Sequence, residues 1–423
     1  MEETKNTIEN EHSREEEGTR RKPHADLEGT GVLRDLPGAL TEIAPEGSRA
    51  LLIACEGKSE AAVREAIARK FRVSADYPEK TSDGLKEFAK SVRPGEDVKL
   101  VIAAGDGELA DAGKFVAARY GLPLCIVALS QADVNYHTFV STLRGRDGTG
   151  KYRAVKPDLV LFDYSLYPDS DVRNAAAYGI ACSRLVSAFD AFATGLVSGR
   201  ENEDSGFGIV AKSVAELLSA DKPDKELTSK ATARLSRACG ENPRLSGGGA
   251  ALAAEALEAL KRSRNEIPKL RGENEVLTAL PIIRLYAAFL SLLPTLPVAA
   301  PDGNLRLELM ARIKISPFAA ARAISDREEL VGLKRAAYIL KEYRADLVSR
   351  CLIIEKTLAY SAKRIKRLYK DKGYSYNNYA TASDVGLSLA LATEMRGGDS
   401  LIKIIKQAGY LEGLVTGAAR AFR

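Results

Sequence analysis

The stretch VIAAGDGELADAGKFVA, residues 101–117, decides the fold. It is the end of a continuous apolar run, VKLVIAAG at 98–105, followed by Gly105-Asp106-Gly107 and then by helical text from Glu108 to Gly121. An apolar run without alternation reads as a strand buried on both faces, the habit of parallel sheets. A strand that turns through glycines into a helix is the unit from which such sheets are built. Amides at a helix N-terminus point at the turn and carry partial positive charge, a natural seat for pyrophosphate. Gly105 and Gly107 would let the backbone approach that phosphate without a Cβ in the way. Asp106 and Glu108 bring negative charge to the same mouth, and the run is not GxGxxG. The alternative is a tight turn in which Asp106 or Glu108 caps backbone amides. Asp111 reads either as a first-turn acid or as part of the site. Lys114 reads either as a surface lysine or as one that enters a cleft.

Working outward, short apolar runs alternate with amphipathic stretches from about residue 48 to 168. ALLIACEG at 50–57 reads as a strand, and SEAAVREAIARKF at 59–71 as a helix capped by Ser59. FRVSADYPE is a second strand, and 81–92 a helix capped by Thr81 or Ser82. LPLCIVAL at 122–129 and DLVLFDY at 158–164 complete the strands. Right-handed crossovers and a mainly parallel sheet follow. Past YPDSD at 167–171 the text becomes alanine- and leucine-rich. Helices are expected at 174–198, 206–219, 227–239, 248–263, 275–294, 304–313, 327–347, 349–370 and 382–395. The expected architecture is an α/β nucleotide-binding domain at 29–168 with a mainly parallel sheet, then an all-helical domain at 169–423. Residues 1–28, charged and nearly devoid of apolar side chains, read as a disordered tail.

Composition is that of a globular chain: 423 residues, 45% hydrophobic, 28% charged, net charge +5. That balance is too mild to argue for nucleic acid by itself. Five widely spaced cysteines, without CxxC, read as free thiols in a reducing compartment. No signal peptide is expected. LYAAFLSLLPTLPVAA at 285–300 is short and broken by prolines, so it reads as a core helix rather than a span. A cytoplasmic protein without a membrane partner is expected, with homo-oligomerisation.

The run GDGELADAGKFVA resembles the GGGSxxDxxK segment of the dehydroquinate synthase-like superfamily, which includes glycerol dehydrogenases, iron-dependent alcohol dehydrogenases and glycerol-1-phosphate dehydrogenases. Gly105, Gly107, Asp111 and Lys114 match, and Asp106 replaces the middle glycine. The resemblance covers about 30–320 and is closest to glycerol-1-phosphate dehydrogenase. It implies NAD or NADP as cofactor and Gly105, Asp106, Gly107, Asp111, Lys114 and Ser130 as the residues around it. Ala128 and Leu129 stand where the family has Pro-Thr.

The resemblance also implies a metal held by an aspartate and two histidines, and here it breaks. Cys182, Ala250 and Arg271 fall at those positions, and no histidine occurs after His137. A thiol, a methyl group and a guanidinium do not make a zinc or iron site, so no metal is expected. Arg271 is instead suited to hold a carboxylate, a phosphate or a developing oxyanion.

Cys182 as a nucleophile lacks a histidine in its own half, and a structural thiol is favoured. Asp190, in SAFDAFATG, lies on a helix among apolar neighbours and is a candidate to face the cleft. With Arg271 it forms the candidate catalytic pair. SGGGAA at 246–251 reads as an interhelix turn or a phosphate rest. The segment 334–379 is rich in lysine, arginine and tyrosine, and reads as a solvated face or as the docking site of a protein or polyanion. The chain is therefore expected to be a metal-independent or catalytically silent relative of these dehydrogenases, open to a nucleotide or a small phosphorylated ligand. An active oxidoreductase on a polyol phosphate using Arg271, and a scaffold docking through the basic segment, are the alternatives.

Overall fold

The computed structural model describes residues 26–420 apart from 79–83, 146–147, 169, 201–205, 221–223, 268, 296–328, 371–378 and 396–399. Its strands are β1 (Leu27–Gly29), β2 (Arg49–Ala54), β3 (Arg72–Asp76), β4 (Val98–Gly105), β5 (Leu124–Ala128), β6 (Val140–Gly145), β7 (Gly148–Arg153) and β8 (Leu159–Asp163). Six of them form one sheet in the order β1-β8-β5-β4-β2-β3, with every neighbouring pair parallel. Strand periodicity explains the apolar runs. Leu51 and Ile53 of β2 enter one core cluster, while Ala50, Leu52 and Ala54 enter another on the opposite face. Both faces are covered by α1 (Leu36–Leu40), α2 (Lys58–Ala68), α3 (Leu85–Ser91) and α4 (Gly107–Tyr120). β6 and β7 stand apart as an antiparallel hairpin. Neither strand was expected from the sequence, where 122–129 and 158–164 read as consecutive strands.

The second half is helical among the described residues. Its helices are α5 (Asp171–Ser198), α6 (Phe207–Ser219), α7 (Lys225–Glu241), α8 (Gly249–Ser263), α9 (Arg271–Leu292), α10 (Glu329–Glu342), α11 (Arg344–Lys370), α12 (Ala382–Leu391), α13 (Leu401–Gln407) and α14 (Leu411–Arg420). α5 and α9 are long and apolar enough to cross a membrane, but 89% and 61% of their apolar windows are buried in the protein, and they pack along each other as core helices. Close packing depends on Gly272: a Cβ there would lie 1.9 Å from the Ala176 carbonyl oxygen of α5.

Several expectations need correction. Residues 26–28 do not belong to a tail, because Leu27 and Glu28 pair with β8. Asp163, at the end of β8, fixes that segment by accepting hydrogen bonds from the Gly31 and Leu33 amides at 2.9 and 2.8 Å. Ser59 is not a cap; α2 begins at Lys58 after Gly57, and the Ser59 hydroxyl donates to the Leu166 carbonyl. α9 begins at Arg271 rather than Glu275, and α13 and α14 were not expected. The expected helix at 304–313 and the caps Thr81 and Ser82 lie outside the described residues.

Candidate active site

In this strand order the chain runs from β2 outward to β3 and from β4 the opposite way to β5, so the crevice at the carboxyl ends of β2 and β4 is where such sheets bind ligands. The Gly105-Asp106-Gly107 turn sits there. Asp106 is the N-cap of α4, its carboxylate accepting from the Leu109 amide at 3.3 Å. Burial, reinforced by Asp133, raises the Asp106 carboxyl above its ordinary range against that bond. Asp133 explains Gly107: a Cβ at 107 would lie 1.9 Å from its carboxylate oxygen. The close approach that a glycine allows is thus used by a carboxylate of the protein itself. Asp133 is held by the Asn135 amide at 2.8 Å. Two carboxylates stand where pyrophosphate would need donors, and the seat as it stands does not suit a dinucleotide phosphate.

Asp111 and Lys114 are not at the surface of this seat but inside the wall. Lys114 is fully buried and its ammonium donates to Asp111 at 2.9 Å, to the Asn135 carbonyl at 2.5 Å and to the Thr138 hydroxyl at 3.1 Å. All three N–H directions are spent. Asp111 accepts from the Thr142 amide at 2.8 Å, and its carbonyl accepts from Ser141. The DxxK spacing therefore makes an ion pair one turn apart that fastens β6 to α4. Ser130 is likewise structural: buried, its hydroxyl accepts from the Ala132 amide and from Arg173 of α5.

Across the cleft, Arg271 opens α9 and its Nε donates to Glu275 at 2.8 Å. Glu275 is fully buried and also accepts both Arg184 Nη2 contacts at 2.7 Å and the Ser183 hydroxyl. Burial opposes its charge, but Arg184 and Arg271 more than offset this and hold the carboxyl below its usual range. Arg184 in turn donates to the Leu245 carbonyl at 2.8 Å, and Ser187 to the Gly247 carbonyl. The α5 residues that meet Arg271's partner are thus Ser183 and Arg184. Cys182 faces the other way, toward Tyr178 and Ser361, and burial pushes its thiol up to about 12. The positions Cys182, Ala250 and Arg271 do not converge as a ligand set, and their side chains do not fit a metal. Among the described residues no three His, Cys, Asp or Glu side chains are grouped to hold one.

Asp190 does not face the cleft. It is buried in the helical half, accepting from the Gly249 amide at 2.6 Å, the Leu401 amide at 2.7 Å and the Tyr286 hydroxyl at 3.0 Å. It ties the N-termini of α8 and α13 to α5, and burial pushes its carboxyl up to about 6 despite those bonds. The glycines at 247–249 therefore hold no free anion seat, since Asp190 already meets the Gly249 amide. His137 lies between Ser236 (2.8 Å) and Asp26 (3.0 Å), a serine–histidine–aspartate row whose serine is fully buried.

Sequence reasoning missed Arg144, Arg184, Glu275 and Glu258. Arg144 of β6 pairs with Glu108 at 2.8 Å and with Glu258 of α8 at 2.7 Å, and Lys151 of β7 pairs with Glu255 at 3.0 Å. The hairpin thereby links the two halves. Burial, moderated by Arg144, pushes the Glu108 carboxyl up to about 7. The only signal in the sequence was the i, i+3 spacing of Glu255 and Glu258 on one helical face.

No family model matches the chain, and no curated protein matches it in sequence. Solved structures do match in fold. The NADH-dependent butanol dehydrogenase A of Thermotoga maritima superposes with a TM-score of 0.54 at 15% identity, covering 95% of this chain and 98% of that one. An archaeal halo-thermophilic alcohol dehydrogenase from a Red Sea brine pool gives 0.55 at 13%, covering 94% and 98%. A probable glycerol dehydrogenase from Sinorhizobium meliloti gives 0.50 at 16%, covering 80% and 98%. None of these three is a glycerol-1-phosphate dehydrogenase, the subgroup that the sequence motifs suggested. The chain has the two-part fold of the alcohol and glycerol dehydrogenases.

Proposed function

We propose that the chain is a catalytically silent, metal-independent relative of these dehydrogenases, whose cleft is satisfied by its own charges. The observation that carries this reading is Glu275. It is fully buried and engaged by Arg184 and by Arg271, the residue that the sequence resemblance puts at a metal-ligand position. Oxidising an alcohol by hydride loss requires a group that takes the hydroxyl proton or stabilises the alkoxide. Arginine does not act as a base, and the carboxylate between two guanidiniums is held in its ionised, fully bonded state. The Asp106–Asp133 pair at the glycine turn supports the same reading from the cofactor side.

The test is a titration with NADH and NADPH that follows the emission of the reduced cofactor, since the chain contains no tryptophan. The expected result is no saturable binding and no alcohol-dependent reduction of NAD or NADP, with or without Zn²⁺ or Fe²⁺. Saturable micromolar binding with turnover would overturn the proposal. A second reading is favoured by one observation: the Arg271 side chain remains 35% exposed. In that reading Arg271 binds the phosphate of a small polyol phosphate, with NAD or NADP beside it. Arg271→Ala should then weaken binding of glycerol 1-phosphate by tenfold or more, the scale of a lost charge-assisted contact of about 1.5–3 kcal/mol.

A further inference from the structure

The basic segment resolves into residues the fold uses and residues it leaves over. Arg350 pairs with Asp346 and lies 4.3 Å from the Phe192 ring centroid. Arg364 donates to the Leu218 and Ala220 carbonyls and so closes the end of α6. Tyr379 is not part of an outward aromatic row; it lies against Lys261 and Lys269. On α11 one outward stripe runs at three- and four-residue spacing: Ile353, Lys356, Tyr360, Lys363 and Arg367, with Leu352 beside it; the Tyr360 ring also carries the Arg364 guanidinium, 5.7 Å from its centroid. Leu352, Ile353 and Tyr360 are 47%, 61% and 55% exposed. Lys356, Lys363 and Arg367 are exposed, and among the described residues they form no ion pair. The carboxylates of the same helix are committed elsewhere, Glu355 to Arg284 and Asp346 to Arg350.

We propose that this outward face of α11 docks an acidic amphipathic helix of a protein partner. The stripe from Ile353 to Arg367 spans about 21 Å, the length of four turns. It offers large side chains for apolar anchors and a cation at each following turn for flanking carboxylates. A second copy of the chain would set like charges against one another. Single-stranded nucleic acid favours stacked aromatics, whereas the centre here is aliphatic. A lipid surface favours a continuous apolar face, whereas Lys356 interrupts this one. The inference stands on α11 alone and is independent of the state of the cleft.

The test uses the full chain and a labelled designed helical peptide, with leucines at three- and four-residue spacing flanked by glutamates. Fluorescence anisotropy should show saturable micromolar binding that weakens as salt is raised and falls tenfold or more in Ile353→Glu and in a Lys356→Glu, Lys363→Glu double variant. Circular dichroism of these surface variants should match the parent. The same peptide with lysines in place of glutamates should not bind. Absence of binding, unchanged affinity in both variants, or stronger binding to phosphatidylserine vesicles or to a single-stranded RNA would overturn the proposal.

Discussion

At the scale of residues, buried charges here act as fasteners. Asp190 is the clearest case, since three donors from α8, α13 and α9 converge on it. Asp190→Ala would strand two backbone amides and a hydroxyl, and should lower stability by about 2–4 kcal/mol in urea unfolding. Activity assays cannot distinguish that role from catalysis, but unfolding can. The pH dependence carries a definite sign. The folded value of about 6 lies above the ordinary 3.8, so the folded state binds the proton more tightly. That contribution is fully present below 3.8 and is lost as pH rises through about 6, on the order of 3 kcal/mol. The stability difference between the parent chain and Asp190→Ala should therefore shrink across that window. A difference that grows with pH would contradict the assignment. The sequence showed Asp190 among apolar neighbours, read there as a sign that it faces the cleft, whereas the structure buries it in the helical half. It could not show that two helix N-termini, 59 and 211 residues away, would arrive at that carboxylate.

At the scale of elements, the strand–turn–helix at 98–120 was legible because period and glycine spacing are local properties. Five of the six strands of the parallel sheet and the long helices α5 and α11 were legible for the same reason, while β1 was not. The hairpin of β6 and β7 was not, because its strands carry polar residues on both sides and are held from outside by Asp111. Lys114→Met should remove the ammonium and leave Asp111 buried without its partner, at a cost of about 3–5 kcal/mol. Hydrogen exchange should quicken first in 140–153, the segment that Asp111 grips. Uniform quickening through the sheet would show instead that the pair supports the whole half. At Gly272 the prediction is steric. Gly272→Ala forces a methyl group against the Ala176 carbonyl and should push α9 off α5, lowering the unfolding midpoint without altering net charge.

At the scale of the whole molecule, charged pairs join the two halves beside apolar contacts, Val134 packing into the helical core and Ala233 into the core of the sheet. Arg144–Glu258 and Lys151–Glu255 clamp one side, and Arg237 with Asp26 and Glu28 clamps the other. Glu258→Lys should oppose Arg144 with a like charge and open the hairpin side, measured as faster proteolysis between the halves and a larger radius in small-angle scattering. Unchanged values would mean that the clamp is ornamental. None of these pairs was legible in sequence, since each joins residues more than a hundred positions apart. The first strand carries one further consequence, which concerns synthesis. β1 at Leu27–Gly29 finds its sheet neighbour only at Leu161–Asp163, and Asp26 and Glu28 find Arg237 later still. On the ribosome the earliest described strand must wait for most of the first half to emerge, and its ionic anchors wait for α7. Long-range closure of this kind is slow and comes late. The nascent chain should thus leave β1 unpaired, exposed to chaperone or protease, until β8 and then α7 have been made.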